Sequence, residues 1–200
     1  METLLPFEEN QEETETQTAF EKENEVLRLI KERFPALDMD IETAVIATRR
    51  IYLSIESAIF LQALQFAAQE LGFSHLCTIT GIDNLDSFEF LYHISNEDGI
   101  CLTLKLTTPR NDNTVIASVL PIYNGATFYE RELEGLLGIK VEGLPEGRQY
   151  PLPDNWPRKQ YPLRKDWTPA QNTDNNNDNN TNNTVQTTHD GVPDGRKDGA

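Results

Sequence analysis

Residues 127–167 read TFYERELEGLLGIKVEGLPEGRQYPLPDNWPRKQYPLRKDW, a short amphipathic helix followed by a long proline-rich segment. Thr127 and Glu130 have the spacing of a capping box, in which each side chain satisfies a backbone N–H at the helix start. Apolar side chains recur three or four residues apart and form one stripe, made of Tyr129, Leu133, Leu136 and Leu137. Gly138 can adopt the left-handed conformation that closes a helix, so the helix is predicted to end at Leu137.

The proline-rich segment cannot continue the helix or form a central strand, because each proline lacks a backbone donor. From Arg148 to Lys165 the chain holds five basic residues and a single acid, Asp154. Large aromatic side chains accompany them, namely Tyr150, Trp156, Tyr161 and Trp167. Since Trp, Tyr and Arg dominate buried protein contacts, we interpret residues 144–167, hereafter the arm, as extended along a partner protein. A solvated arm and an arm packed on its own domain are the alternatives.

The length and the net charge of the chain limit the class of protein. The chain has 200 residues, room for one ordinary domain, and a net charge of −16 that argues against a nucleic-acid partner. Residues 1–25 contain nine acids, one lysine and few large apolar groups, so this segment is predicted to be disordered. Residues 168–200 are rich in Asn and Asp and are predicted to form a second disordered segment.

The residue types that hold cofactors are sparse. Cys77 and Cys101 are far apart and the histidines are isolated, whereas zinc and iron–sulfur sites need clustered ligands. We therefore predict no metal, no cofactor and two buried, reduced thiols. No apolar run is long enough to span a bilayer, so any membrane contact is expected to go through a partner.

Residues 26–143 are predicted to form an α+β domain with a mostly antiparallel sheet and helices packed on one face. Hydrophobic periodicity indicates helices over residues 26–34 and 58–71, with Ser57 as the cap of the second. Two-residue alternation indicates strands over residues 51–55, 75–81, 88–95 and 100–107, with a further short strand over 139–141. Asn96–Gly99 is predicted to be a hairpin turn, and residues 109–125 are predicted to be irregular.

Glu130 and Glu132 do not have the arrangement of a catalytic carboxylate pair. Two residues apart on a helix, their side chains point about 200° apart and cannot share one substrate. The capping interaction is the simpler explanation for Glu130, and Arg131 and Glu132 are expected to meet charges on a partner or on the arm. No catalytic residue is predicted.

Several blocks resemble one family. They are the stretch ATFYERE at 126–132, Leu137-Gly138-Ile139, Glu142-Gly143, Trp156 and YPLRKD at 161–166. Together they resemble the signature of the thirty-kilodalton class of complex I components, found in the proton-pumping NADH:quinone oxidoreductases. Related subunits occur in energy-converting, membrane-bound nickel–iron hydrogenases and in formate hydrogenlyases.

The resemblance implies a cofactor-free subunit without catalytic residues, in the cytoplasm-side arm of a membrane-associated complex. Its C-terminal segment would wrap the large hydrogenase-like subunit of the forty-nine-kilodalton class, with a small iron–sulfur subunit in the same complex. The motif and partner-binding positions are then Glu130, Arg131, Glu132, Gly138, Gly143, Pro145, Arg148, Trp156, Pro162, Leu163, Arg164, Lys165 and Asp166.

The sequence also departs from the family pattern. Thr127-Phe128 stands where Asn-Trp is usual, and Leu144 stands where the family usually has His in a Gly-His-Pro turn. These differences favour a divergent or hydrogenase-type complex. Three interpretations follow: a scaffold subunit of a complex I-type oxidoreductase, the equivalent scaffold of a hydrogenase or formate hydrogenlyase, and a stand-alone protein-binding module.

Overall fold

The computed structural model describes residues 20–37, 44–148 and 150–169. Within these residues three helices and seven strands follow one another in the order α1 Glu21–Arg33, β1 Val45–Ala47, β2 Arg50–Ile55, α2 Phe60–Gln69, β3 His75–Asp83, β4 Ser87–Ser95, β5 Cys101–Pro109, β6 Val115–Ala117, α3 Ala126–Leu137 and β7 Lys140–Glu142. The segments predicted to be disordered lie outside the described residues, apart from residues 20–25 and 168–169.

The main sheet has the strand order β1-β2-β5-β4-β3. Neighbouring strands are antiparallel except β2 and β5, which run parallel because α2 intervenes before the β3–β4–β5 meander. Strands β6 and β7 form a separate parallel pair. The predicted α+β class with a mostly antiparallel sheet is confirmed.

The core lies on one face of this sheet, where the alternation of β4 places its large apolar side chains, Phe88, Phe90, Tyr92 and Ile94. Helix α2 packs against them, with the rings of Phe60 and Tyr92 4.7 Å apart. Helix α3 approaches β3 closely at Gly81, where an added Cβ would overlap the side chains of α3. Helices α2 and α3 therefore pack on the same face of the sheet, as predicted.

The starts of α1 and α2 differ from the sequence-based prediction. Helix α1 begins at Glu21 rather than at residue 26, so residues 21–25 are helical and their predicted disorder was wrong. The acidic first turn suits the positive end of the helix dipole. The buried Glu23 carboxylate also accepts a hydrogen bond from Arg49 N–H. Helix α2 begins at Phe60 with Ile59 at its cap position and no side-chain cap, so the assignment of Ser57 was wrong.

Two short strands were not predicted. Strand β1 has three residues, and β6 lies within the stretch predicted to be irregular. Three residues carry too little periodicity to signal a strand, and β6 pairs with β7 across more than twenty residues of sequence. The Asn96–Gly99 turn was predicted correctly, since Gly99 has φ +76° and its N–H donates to Asn96 O at 3.1 Å.

Candidate partner-docking surface

The first half of the arm is attached to α3 through Arg131. Its Nη2 donates to Pro145 O at 2.9 Å and its Nη1 donates to Arg148 O at 3.2 Å. The guanidinium lies so close to Gly147 that a Cβ at that position would overlap it. Arg131 therefore does contact the arm, but through backbone carbonyls rather than through the charges that the sequence analysis expected.

The second half of the arm is attached at the C-terminal end of α3. Leu163 N–H donates to Leu136 O at 3.1 Å, and Arg164 Nε donates to Leu137 O at 2.7 Å. The Tyr161 ring lies against the backbone of Gly138, where a Cβ would overlap it. Arg164 thus provides the cation that the last carbonyls of a helix favour.

This geometry corrects the interpretation of Arg164 as a residue that faces the partner. The resemblance to the family implied that Arg164 is one of the partner-binding positions. The side chain is 13% exposed, its carbonyl partners belong to its own domain at the end of α3, and its Nη1 lies 3.2 Å from Asp112 Oδ1. The alternative of an arm packed on its own domain therefore describes this end of the arm.

A buried acid behind this end was not anticipated from the sequence. Asp83 accepts hydrogen bonds from the backbone N–H groups of Leu85 at 2.8 Å and Lys165 at 3.0 Å. Arg110 Nε lies 3.0 Å from the same carboxylate, and Arg110 Nη2 lies 2.6 Å from Asp166 Oδ1. The hydrogen bond from Arg110 holds the pKa of Asp166 below its ordinary value. Asp83 and Arg110 together fix the position of the arm's last residues.

The middle of the arm stays exposed between the two attachments. Trp156 Nε1 donates to Gln160 O at 2.9 Å, and the Trp156 and Trp167 rings are 6.1 Å apart, so this part forms a closed turn. Arg148 pairs with Asp154 in an ion pair whose side chains are both more than 70% exposed. The remaining basic side chains are also exposed and form no ion pair among the described residues, namely Arg158, Lys159 and Lys165.

Exposed aromatic side chains extend this surface onto α3. Phe128 is 63% exposed and Tyr150 of the arm is 42% exposed, with their ring centroids 5.4 Å apart in an edge-to-face arrangement. Leu163 is 53% exposed beside the arm's second attachment. Exposed basic and aromatic groups therefore lie together along the arm and the adjacent helix.

Glu130 has a different role from the one predicted. It is fully buried, with its carboxylate accepting from Ser118 Oγ at 2.7 Å and from Val119 N–H at 2.6 Å. Helix α3 begins at Ala126 with Gly125 as its cap and no side-chain cap, so the capping box of Thr127 and Glu130 was wrong. Burial raises the pKa of the Glu130 carboxyl, and the two hydrogen bonds oppose that rise. Glu130 fastens α3 to the segment after β6.

The other motif positions have local structural roles or lie on the surface. Gly138 closes α3 with φ +71°, as predicted, and Gly143 follows β7 with φ +90°. Glu132 and Pro162 are half-buried, and Pro145 is exposed. Glu130 and Glu132 point into different environments, one in the core and one at a surface groove.

The arrangement offers hydrogen-bonding and apolar groups suited to protein contact. Within residues 20–37, 44–148 and 150–169 no group of three or more His, Cys, Asp or Glu side chains is placed to hold a metal ion. Over the same residues no helix combines the length and the apolar character that a membrane span requires. Cys77 and Cys101 are both free thiols, but only Cys101 is buried, so the predicted burial of Cys77 was wrong.

Residues 53–173 match the family described as the respiratory-chain NADH dehydrogenase, 30 Kd subunit. The match covers more than half of the chain and includes β3 to β5, α3 and the arm. The chain therefore belongs to this family, in agreement with the resemblance of its motifs.

Relatives in the family come from different oxidoreductase complexes. The chain is 38% identical to the C component of the F(420)H(2) dehydrogenase of Methanosarcina mazei, over 53% of this chain and 68% of that protein. It is 29% identical to the beta component of the membrane-bound hydrogenase of Pyrococcus furiosus, over 70% of this chain and 83% of that protein. The family is thus shared by dehydrogenase and hydrogenase complexes.

A solved structure shares the fold. A chain in the membrane-bound sulfane sulfur reductase, an archaeal respiratory membrane complex, superposes with a TM-score of 0.66 and is 27% identical. The superposition covers 74% of this chain and 86% of the other. This neighbour, like the family, is a component of a multi-subunit membrane complex.

Proposed function

We propose that this chain is a non-catalytic, cofactor-free structural subunit in the cytoplasm-side arm of a complex I-type oxidoreductase. Its arm docks on the large, forty-nine-kilodalton-class subunit and stabilises it, and a small iron–sulfur subunit lies in the same complex. The observation that carries the proposal is the exposed basic and aromatic segment held between two attachments. Contact with the membrane goes through the partners.

The attachments lower the cost of docking. Arg131 at one end and Arg164 at the other fix the backbone of the arm, so less conformational freedom is lost when a partner binds. The basic side chains between them belong to a chain whose net charge is −16, and they favour an acidic surface on the partner. Phe128 and Tyr150 supply apolar contact area beside these charges.

Affinity purification of the tagged chain from a mild-detergent extract, followed by mass spectrometry, tests this proposal. We expect the large subunit of a complex I-type assembly to co-purify with the wild-type chain. The double variant Arg158→Glu, Lys159→Glu should lose most of it, while the charge-matched control Lys22→Glu, Lys31→Glu on α1 should retain it. Equal recovery with both variants would contradict docking through the arm.

A hydrogenase complex is the second candidate, supported by the relative from the membrane-bound hydrogenase. The same purification separates the candidates by the identity of the large subunit. A large subunit with two CxxC nickel-site pairs indicates a hydrogenase or formate hydrogenlyase, and NADH- and flavin-binding subunits indicate complex I. Purification of the chain as a monomer, without any component of a membrane complex, would indicate a stand-alone binding module.

A further inference from the structure

Strand β3 forms one edge of the five-stranded sheet, and its backbone pairs on one side with β4. Asn84 and Ser87 lie opposite each other, and Asn84 N–H donates to Ser87 O at 2.8 Å, so they form a hydrogen-bonded pair. Hydrogen-bonded and non-hydrogen-bonded pairs alternate along an antiparallel ladder, which makes Ile79 and Gly81 members of non-hydrogen-bonded pairs. Their N–H and C=O groups therefore point away from β4. Four backbone hydrogen-bonding groups therefore line the outer edge of β3 near its middle.

This edge lacks the features that usually prevent strand pairing. Natural edge strands are protected by charged side chains, prolines or bulges. Residues 78–82 read Thr-Ile-Thr-Gly-Ile, with neither a charge nor a proline, and the irregularity in the ladder lies before Thr78. At the near end, Tyr129 Oη donates to Cys77 O at 2.9 Å. Among the described residues, no group outside β4 forms a hydrogen bond with the backbone of residues 78–82.

A groove of about 210 Å³ follows the open edge between β3, α3 and the arm. Its walls are apolar side chains of α3 and the arm, including Leu136 and the 53% exposed Leu163. The Glu132 carboxylate also lines the groove. The groove therefore offers backbone partners along one wall, aliphatic contacts along the other, and one negative charge.

We propose that an extended, uncharged segment of a partner polypeptide adds to β3 as a sixth strand of the sheet. Its backbone pairs with Ile79 and Gly81, an aliphatic side chain lies between Leu136 and Leu163, and a basic side chain next to that segment meets Glu132. Strand addition of this kind gains affinity from main-chain hydrogen bonds and specificity from side-chain pockets. The proposal rests on the proposed function, because Leu163 makes the groove continuous with the arm.

Hydrogen–deuterium exchange compares the isolated full-length chain with the affinity-purified complex. In the isolated chain the amides of Ile79 and Gly81 should exchange fast, whereas those of Thr78 and Thr80, which pair with β4, should exchange slowly. In the complex we expect the first two to slow by about tenfold or more. Slow exchange at both positions in the isolated chain would mean that the chain itself or a second copy covers the edge, which overturns the proposal.

The arm provides the internal control that separates this inference from the proposed function. If residues 156–165 become protected in the complex while Ile79 and Gly81 do not, strand addition is wrong and arm docking stands. If neither region is protected, both proposals fail. If the edge and the arm are both protected, both proposals are supported.

A pair of matched variants locates the aliphatic contact. Leu163→Glu places a carboxylate in the groove, so the protection of Ile79 and Gly81 should fall while some large subunit still co-purifies. Leu85 is also a leucine more than half exposed, and it lies in the turn after β3 outside the groove. Leu85→Glu should keep the wild-type protection, and equal loss with both variants would contradict the groove as the binding site.

Discussion

Arg164 Nε lies 2.7 Å from the carbonyl oxygen of Leu137, the last residue of α3, so the basic end of the arm caps the helix that precedes it. We expect Arg164→Ala to lower the free energy of unfolding of the isolated chain by about 1–3 kcal/mol, because a charge-assisted hydrogen bond is lost. Urea denaturation measures the change. The exposed Arg158→Ala is the matched control and should change stability by less than about 0.5 kcal/mol.

Alanine substitutions at Gly138 and Gly72 separate the effect of the Tyr161 contact on stability from the effect of backbone strain. Both glycines have positive φ, +71° and +74°, so an alanine at either position is strained by about 1 kcal/mol. A Cβ at Gly72 meets nothing within 4 Å, whereas a Cβ at Gly138 overlaps the Tyr161 ring. Gly138→Ala should therefore be the more destabilising substitution in thermal or urea unfolding.

A double variant tests the cause of that difference. Tyr161→Ala removes the overlapping ring, so adding Gly138→Ala to it should cost about as much as Gly72→Ala costs alone. If Gly138→Ala and Gly72→Ala are equally destabilising in the wild-type background, Tyr161 does not pack on Gly138 in solution.

The buried carboxyl of Glu130 leads us to predict a specific pH dependence of the stability of the chain. Burial raises its pKa in the folded chain above the ordinary value of 4.5, so the folded chain binds this proton more tightly than the unfolded chain. Its contribution to stability is complete below pH 4.5 and falls as the pH rises through the folded-state pKa. Glu130→Gln has no proton to lose and should remove this fall from the curve of unfolding free energy against pH.

The control for Glu130→Gln is Glu132→Gln, which removes one carboxylate from the surface side of the same helix. The fall assigned to Glu130 should persist in this variant, because its buried carboxyl is unchanged. A Glu130→Gln curve with the wild-type fall would show that another group causes it.

Arg131 is expected to hold the arm without contributing much to global stability. Arg131→Ala removes two hydrogen bonds to arm carbonyls at the surface, so backbone amides of residues 144–148 should exchange faster while the melting temperature changes little. Arg148→Ala breaks an exposed ion pair with Asp154, which contributes little, and should leave exchange in this segment unchanged. A large drop in melting temperature with Arg131→Ala would contradict a purely local role.

Local patterns predicted much of the fold. The end of α3 at Leu137 followed from Gly138, and the strands of the meander followed from strict alternation such as that of Phe88 to Ile94. The placement of the helices on one face followed from the same alternation. Each of these signals lies within about ten residues of chain, which is the range over which side-chain periodicity is informative.

Tertiary contacts account for what the sequence could not show. Glu130 has the spacing of a cap, yet its partners are Ser118 and Val119, in a stretch without periodicity. Asp83 and Arg110 lie far apart in sequence and meet only in the folded chain. The sequence did contain one signal of a tertiary contact. A glycine at the end of the helix and an aromatic residue in the arm permit the close packing of Tyr161 on Gly138.

Cross-linking mass spectrometry of the assembled complex tests the central claim most directly. If the arm docks on the large subunit, an amine-reactive cross-linker should join Lys159 and Lys165 to that subunit, while Lys22 and Lys31 of α1 should not form such links. Cross-links from Lys159 and Lys165 confined to this chain, in a complex that contains the large subunit, would contradict the account.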